Sequence, residues 1–259
     1  MEEKSLDGVA TKPRNGKNTK PSTVVVREFE PEDQVHVQRI FCEGMMEMIF
    51  DTAFRGLRHH PESLLLYLTM AAVSFVITMR WWVIGLLPAV VLCARYFCSR
   101  RVIRGYLEEA MSNDMGHLEE FYKKSPNCRL WVAVREGQVV GVVAMVGYKA
   151  GGFAELRRMS VDRRCRRCGV GMALGFKVLE FALTQGYTTV VLGTTAYSPA
   201  AHQLYQRLGF QCSGITNGYM PHGATQSLLD RIFYRVCHHH YRLEVKNMPL
   251  NGQKPLWET

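Results

Sequence analysis

The chain is 259 residues long, 47% hydrophobic and 21% charged. That near-average composition excludes wholesale disorder, a collagen repeat and a multi-span transporter, and the length admits one catalytic domain with additions or two small domains. The formal net charge of +9, from 32 Lys and Arg against 23 Asp and Glu, suits an anionic partner such as a phosphate-bearing cofactor, an acidic substrate or a lipid surface. Nucleic acid is disfavoured, because neither an aromatic-interleaved RNA motif nor zinc-finger spacing is present.

Residues 1–23 are Lys-, Asn-, Gly- and Thr-rich with almost no apolar periodicity, and read as a disordered basic tail without a secretory signal. The catalytic domain begins at residue 24. VVVREFEPED predicts a strand running into a helix with Pro31 near its start. The following helix is expected to bury Val35, Ile40, Met45 and Met48 along one face. Residues 24–60 form this N-terminal part.

The segment 61–98 is different in kind. LLLYLTMAAVSFVITM runs 16 residues without a charge, Arg80 interrupts, and WWVIGLLPAVVLCA runs 14 more. One straight helix would place Arg80 at mid-bilayer, at a cost of roughly 2.5 kcal/mol or more. Each half alone spans roughly 21–24 Å, short of the roughly 30 Å hydrocarbon core. Both flanks are basic, with Arg55 and Arg58 before and Arg95, Arg100, Arg101 and Arg104 after. The positive-inside bias then puts both ends on the cytosolic side. A re-entrant or shallow hairpin over residues 64–94, with Arg80, Trp81 and Trp82 near its turn, satisfies all three facts. A buried soluble helical hairpin is the alternative.

Beyond it, residues 99–245 carry a polar-faced helical stretch and then mostly strands. Glu136–Gly137 joins two apolar runs as a hairpin. AELRRMSVD is a third strand, MALGFKVLEFALTQG an amphipathic helix ended by Gly186, TTVVLGTTA a buried strand, and SPAAHQLYQRLGF a further helix stopping at Gly209. DRIFYRVCHHHYRLEV supplies final strands or an amphipathic segment, and residues 246–259 form a flexible tail.

The chemistry-bearing block is AELRRMSVDRRCRRCGVGMA, residues 154 to 173. A strand leads into a loop with Arg166, Gly169 and Gly171 at R-x-x-G-x-G spacing, and a helix follows at once. Glycines let a ligand approach the backbone closely, and amides at a helix N-terminus point at phosphate. No Lys-Ser/Thr pair follows the glycines, so this is no P-loop. Cys165 and Cys168 form a CxxC without a second ligand pair, and His238, His239 and His240 lack a completing carboxylate or cysteine. No metal is expected at either place. The eight cysteines are scattered and read as reduced thiols.

The order hairpin, ELRRMSVD, R-x-x-G-x-G, VVLGTTA and A-x-x-L-Y-x-x-x-G-F (Ala201, Leu204, Tyr205, Gly209, Phe210) resembles the GCN5-related N-acetyltransferase superfamily. TAFRGLRHHPESLLLY, RRVIRGYLEEAM, KVLEFALTQGY, AAHQLYQRLGF and HHHYRL further resemble the membrane-bound N-acetyltransferase 8 family and its aspartate-acetylating members, over about residues 24–243. The resemblance implies an α/β fold with a central mixed sheet flanked by helices and an inserted hydrophobic membrane hairpin. It implies transfer of acetyl from acetyl-CoA to the L-aspartate amine in a ternary complex, without metal, at an endoplasmic-reticulum or mitochondrial membrane with the catalytic domain facing the cytosol. The pyrophosphate would lie on the amides of Arg166, Arg167, Cys168, Gly169, Val170, Gly171, Met172 and Ala173. The pantetheine arm would pair with backbone of Met159, Ser160 and Val161.

An attacking amine must lose a proton and the leaving thiolate must gain one. The resemblance places Glu155 where superfamily members often carry a base, and Tyr205 at the position of the acid near the cofactor sulfur. Glu155 as an arginine's ion-pair partner and Tyr205 as a packing residue are the bland alternatives. Bidentate guanidinium groups suit the two carboxylates of aspartate, with Arg157, Arg158, Arg55 and Arg58 as candidates. Arg55 and Arg58 equally suit lipid headgroups. Glu155 and Arg157 share a strand face by the two-residue period. A sibling activity on cysteine S-conjugates or protein lysines, or a non-catalytic acyl-CoA-binding module, remains open at this point.

Overall fold

The computed structural model describes residues 23–55, 61–217 and 236–245. Both tails, and with them the expected basic and flexible segments, lie outside the described residues, as does Arg58. The strands are β1 (Val25–Glu28), β2 (Cys128–Arg135), β3 (Gln138–Tyr148), β4 (Phe153–Val161), β5 (Thr189–Thr195), β6 (Gln211–Thr216) and β7 (His238–Glu244). The α-helices are α1 (Gln34–Phe50), α2 (Pro61–Thr78), α3 (Trp82–Ser112), α4 (Val170–Thr184) and α5 (Pro199–Arg207).

The strands form one sheet in the order β1-β2-β3-β4-β5-β7-β6. All neighbours are antiparallel except β4 and β5. The β2–β3 hairpin turns through Glu136 (φ 53°) and Gly137 (φ 76°), the two left-handed positions of a tight turn that matches strand twist. The sheet's two faces carry separate cores. On one, α4 presents Val170, Leu174, Val178 and Leu179 to Trp131, Val143, Leu156 and Leu192. On the other, α1 and the end of α3 cover Leu130, Val132, Val142 and Ala144. Strand β3 is buried on both sides over Val139–Met145, which explains its unbroken apolar run.

Two features of β4 govern the site. Its parallel pairing with β5 lasts only from Phe153↔Thr189 to Glu155↔Val191. Beyond Glu155 the two strands diverge, and β5 keeps only β7 as a partner. Against β3, Ala144 faces Arg157 but Val142 faces Ser160, so Arg158 and Met159 together oppose Val143. This is a β-bulge, with Arg158 in the left-handed region at φ 56°.

Helix α1 differs in phase from the expectation. Val37, Ile40, Phe41 and Ile49 are its buried residues, Met45 and Met48 are half-buried, and Val35 is 72% exposed. The 37–40/41–49 spacing follows the 3.6-residue period, and Val35 falls outside that arc. Helices α2 and α3 form the expected hairpin, turning at Met79–Trp81 with Trp81 against Phe75 at 5.2 Å between ring centroids. It is not a buried hairpin. Val76, Ile77, Trp81 and Trp82 are all exposed, with Ile77 at 76%. Among the described residues no helix is long and apolar enough to cross a membrane. The expected boundary at residue 98 falls inside α3, a single helix of 31 residues that runs from the hairpin into the catalytic core. Pro88 sits within it, while nothing from Ala94 to Ser112 is a strong breaker except Gly105.

Candidate active site

The loop after β4 is built to present amides. Asp162 accepts the backbone N–H of Arg164 at 3.0 Å and opens a short 3-10 turn over Arg163–Cys165. Arg167 (φ 62°) and Gly169 (φ 80°) then take left-handed conformations, and Gly169 is the N-cap of α4. Alternating handedness of this kind turns successive N–H groups into one concavity, and the first turn of α4 adds its own orphan donors. The Ala173 N–H is already taken by the Gly169 carbonyl at 3.0 Å, so the open amides end at Met172. Arg163, Arg164 and Arg167 are exposed, without a carboxylate partner among the described residues. Arg166 is engaged elsewhere: its Nη1 meets Glu47 of α1 at 2.7 Å and its Nε donates to the Val161 carbonyl at 3.3 Å. Arg39 of α1 lies 3.4 Å from Asp162. Two ion pairs therefore tie α1 to the loop. Cys165 packs half-buried against the α4-side core, Cys168 is exposed, and both are free thiols. Among the described residues no cluster suits a metal ion.

Where β4 leaves β5, Leu156–Val161 have no parallel partner on that edge. This is the stretch that holds Met159, Ser160 and Val161, directly upstream of the amide loop. Glu155 and Arg157 share the face covered by α1 and α3, as the strand period predicts. Arg157 Nη2 donates to Glu155 Oε2 at 2.5 Å and to the Tyr148 hydroxyl at 3.1 Å, and that hydroxyl donates to the same Oε2 at 3.4 Å. Oε1 of Glu155 is left without a protein donor among the described residues. The bulge turns Arg158 to the same side, but into a different environment. Its Nε and Nη2 bond Asp114 at 2.9 and 2.7 Å, its Nη1 bonds the Tyr106 hydroxyl, and its guanidinium lies 5.1 Å from the centre of the Phe41 ring. Asp114 also accepts the hydroxyl of buried Tyr122. Arg55 is exposed and pairs with Asp51 at 3.3 Å.

Tyr205 of α5 is buried between Phe210 and Tyr241, 6.0 Å from each ring. Burial pushes its phenol up to about 12, so it holds its proton at neutral pH. Ser198 is the N-cap of α5 and makes no side-chain cap bond. His202 spans the Tyr241 hydroxyl (2.8 Å) and the Thr195 carbonyl (3.0 Å), bracing α5 against β5 and β7. On the opposite face of β7, His238 lies over Gly193, and burial together with His240 and His239 pushes its imidazole down to about 4.

Four participants escaped the sequence reading. Tyr148 carries no motif. Asp114 and Tyr106 are distant in sequence from the arginine they hold. Arg95 reads as a flanking cation, yet it is 1% exposed, with Nε on the Ala53 carbonyl at 2.9 Å and Nη1 on the Tyr67 hydroxyl at 3.4 Å. A signal was available: Val91, Arg95, Ser99 and Val102 fall on one helical stripe, and all four are buried.

The acetyltransferase (GNAT) family matches residues 99–210. The chain is 48% identical to N-acetylaspartate synthetase of Homo sapiens over 223 residues, 86% of this chain and 74% of that protein. It is 43% identical to the Danio rerio protein of the same name, covering 87% and 80%. Identity to N-acetyltransferase 8 of Mus musculus is 32%, covering 73% and 85%. Among solved structures, an N-acetyltransferase from Staphylococcus aureus Mu50 superposes with a TM-score of 0.52 at 15% identity, over 87% of this chain and all of that one. That likeness concerns the fold.

Proposed function

From the premise that the chain belongs to the GNAT acetyltransferases, in the family of the N-acetylaspartate synthetases, we propose that it transfers the acetyl group of acetyl-CoA to the amine of L-aspartate. The observation that carries this reading is the continuity of three parts: an unpaired β4 edge, an amide-lined loop at its end, and Glu155 at the point of divergence. A pantetheine arm has backbone to pair with along Leu156–Val161. Its diphosphate has the amides from Arg167 to Met172 and the cations Arg163, Arg164 and Arg167. Arg166 serves the site by holding the loop to α1.

The acceptor approaches on the α1/α3 face. Glu155 Oε1 takes the amine proton, directly or through one water, while Arg157 and Tyr148 fix the carboxylate through Oε2. The freed amine forms the new C–N bond at the acetyl carbonyl, the C–S bond breaks, and the departing thiolate takes the proton of Tyr205; the acylated nitrogen gives its remaining extra proton to water, and Tyr205 is reprotonated from water. Burial keeps the phenol protonated at neutral pH, the form that donation requires. Arg157 faces the acceptor side, with its Nη2 held by Glu155 and Tyr148. Arg158 is a positioning residue whose pairing with Asp114 fixes the bulge.

The exposed apolar hairpin over residues 64–94 is read as a shallow membrane insertion, supported by its exposed Leu65, Ile77, Trp81 and Trp82 and by basic flanks. It would hold the enzyme on an endoplasmic-reticulum or mitochondrial surface with the catalytic domain facing the cytosol. Flotation of the full chain with liposomes tests the insertion. Thiol release from acetyl-CoA, measured on detergent-purified protein, tests the activity. Release is expected with L-aspartate and not with S-benzylcysteine or a lysine peptide, and release with either of those alone would move the protein to a sibling activity.

A further inference from the structure

The arginines of the catalytic face are mostly spoken for. Arg157 is bound to Glu155, Arg158 to Asp114 and Arg166 to Glu47. Arg95 is the exception. It is among the largest fully buried side chains of the protein, yet no carboxylate pairs with it among the described residues. Its two contacts are dipoles: the Ala53 carbonyl, in the short π-helical segment Asp51–Arg55 that follows α1, and the Tyr67 phenol of α2. Nη2 has no acceptor among the described residues. A buried cation normally comes with a counter-charge, because desolvation is too costly otherwise.

One helical turn on, Ser99 is also 1% exposed, and its Oγ has no hydrogen-bond partner among the described residues. Spacing of four residues puts it on the same face of α3 as Arg95. A second hydroxyl shielded from solvent and without a partner among the described residues, Thr195 Oγ1, stands at the end of β5. Helix α3 meets the segment just beyond β5, since Val102 packs with Tyr197 and Val236, and the charge of Arg95 acts on the Tyr197 phenol. Thr195 lies on the same face of the sheet as Glu155, by the Glu155↔Val191 register and the two-residue period. A buried guanidinium and a buried hydroxyl on one helix face, without a carboxylate acceptor among the described residues, are the complement of a carboxylate.

We infer that Arg95 and Ser99 of α3 anchor a carboxylate of the acidic acceptor, at the end of the cleft where β5 runs beyond β4. The inference rests on the acceptor reading given above and names the residues that select it. It also explains why a buried arginine sits where the apolar hairpin joins the catalytic core.

The test is steady-state thiol release by the full chain in detergent, varying L-aspartate and acetyl-CoA separately. Arg95→Gln is expected to lower kcat/KM for L-aspartate roughly 100-fold and to leave the KM for acetyl-CoA within about twofold. Ser99→Ala is expected to raise the KM for L-aspartate about 5- to 10-fold, with a urea midpoint unchanged or higher, because a buried hydroxyl without a partner has been removed. A purely structural serine would not give that combination. Should Arg95→Gln fail to fold, Ser99→Ala decides alone. A wild type active on L-aspartate whose variants keep the wild-type KM for it overturns this inference only. A wild type inactive on L-aspartate but active on another acceptor overturns the acceptor reading and the anchor with it.

Discussion

Replacing Arg158 by methionine separates a scaffold role from a substrate role. The substitution keeps the stem and the left-handed backbone but removes the guanidinium. Asp114, with a side chain only 7% exposed, then loses a bidentate partner at 2.7–2.9 Å and keeps the Tyr122 hydroxyl. An uncompensated buried carboxylate costs about 3–5 kcal/mol, and loss of the cation over Phe41 and Tyr106 adds about 0.5–1 kcal/mol. Against a total stability of about 5–15 kcal/mol this is a large fraction. The measurement is urea unfolding followed by fluorescence. Asp114→Leu combined with Arg158→Met should recover most of the loss, since neither charge is then stranded. If Arg158→Met stays within about 0.5 kcal/mol of wild type while the KM for L-aspartate climbs, the scaffold argument is refuted and Arg158 belongs to the acceptor site.

Other expectations follow from the same geometry. Glu155→Gln should lower kcat about 100-fold, and near-wild-type turnover would remove Glu155 as the proton acceptor. Tyr205 has a folded pKa above its unfolded value, so its contribution to stability is complete below about pH 10 and lost as pH rises toward 12. Tyr205→Phe should therefore reduce the alkaline slope of stability by up to about 1.4 kcal/mol per pH unit, besides slowing thiol release; an unchanged slope in urea midpoints between pH 9 and 11 counts against its burial. His238 has the opposite sign: its folded pKa is depressed, so stability is present above about pH 6.5 and declines as pH falls toward 4. His238→Gln should flatten that acid decline, and an identical decline in the variant would show that other groups cause it. Gly193→Ala would bring a methyl within 2.2 Å of the His238 ring, and displacing that ring should cost about 1–3 kcal/mol in urea unfolding.

Much of this was legible in the sequence because local chemistry and tertiary structure agree. Glu136–Gly137 reads as a tight turn and is one, since only that dipeptide's backbone has to bend. The loop before α4 is legible because Gly169 must adopt a positive φ. Glu155 and Arg157 fall on one face because the strand between them is regular. Regularity ends one residue later. Simple alternation would put Arg158 opposite Arg157, but the bulge reverses it, and no local rule announces an arginine in a left-handed conformation. The cause lies 44 residues away in Asp114. Arg95 was obscured by its company, since a cation following an apolar run looks like a flank. Its burial depends on α3 continuing unbroken into the core. The offset in α1 lies at its start: Ile40 is buried as expected, but the face runs through Val37 and Phe41, which leaves Val35 outside it.

The continuity of α3 has a geometric consequence. At 31 residues it is a rod about 46 Å long, with one end in the apolar hairpin and the other beside the Arg158–Asp114 pair. Beyond Pro88 no proline interrupts it, so the azimuth of the hairpin's base about that rod is fixed relative to the cleft. Each residue added between Arg95 and Val102 would rotate one end against the other by about 100°. The direction in which the cleft opens, relative to whatever surface the hairpin rests on, is therefore written in the residue count of a single helix.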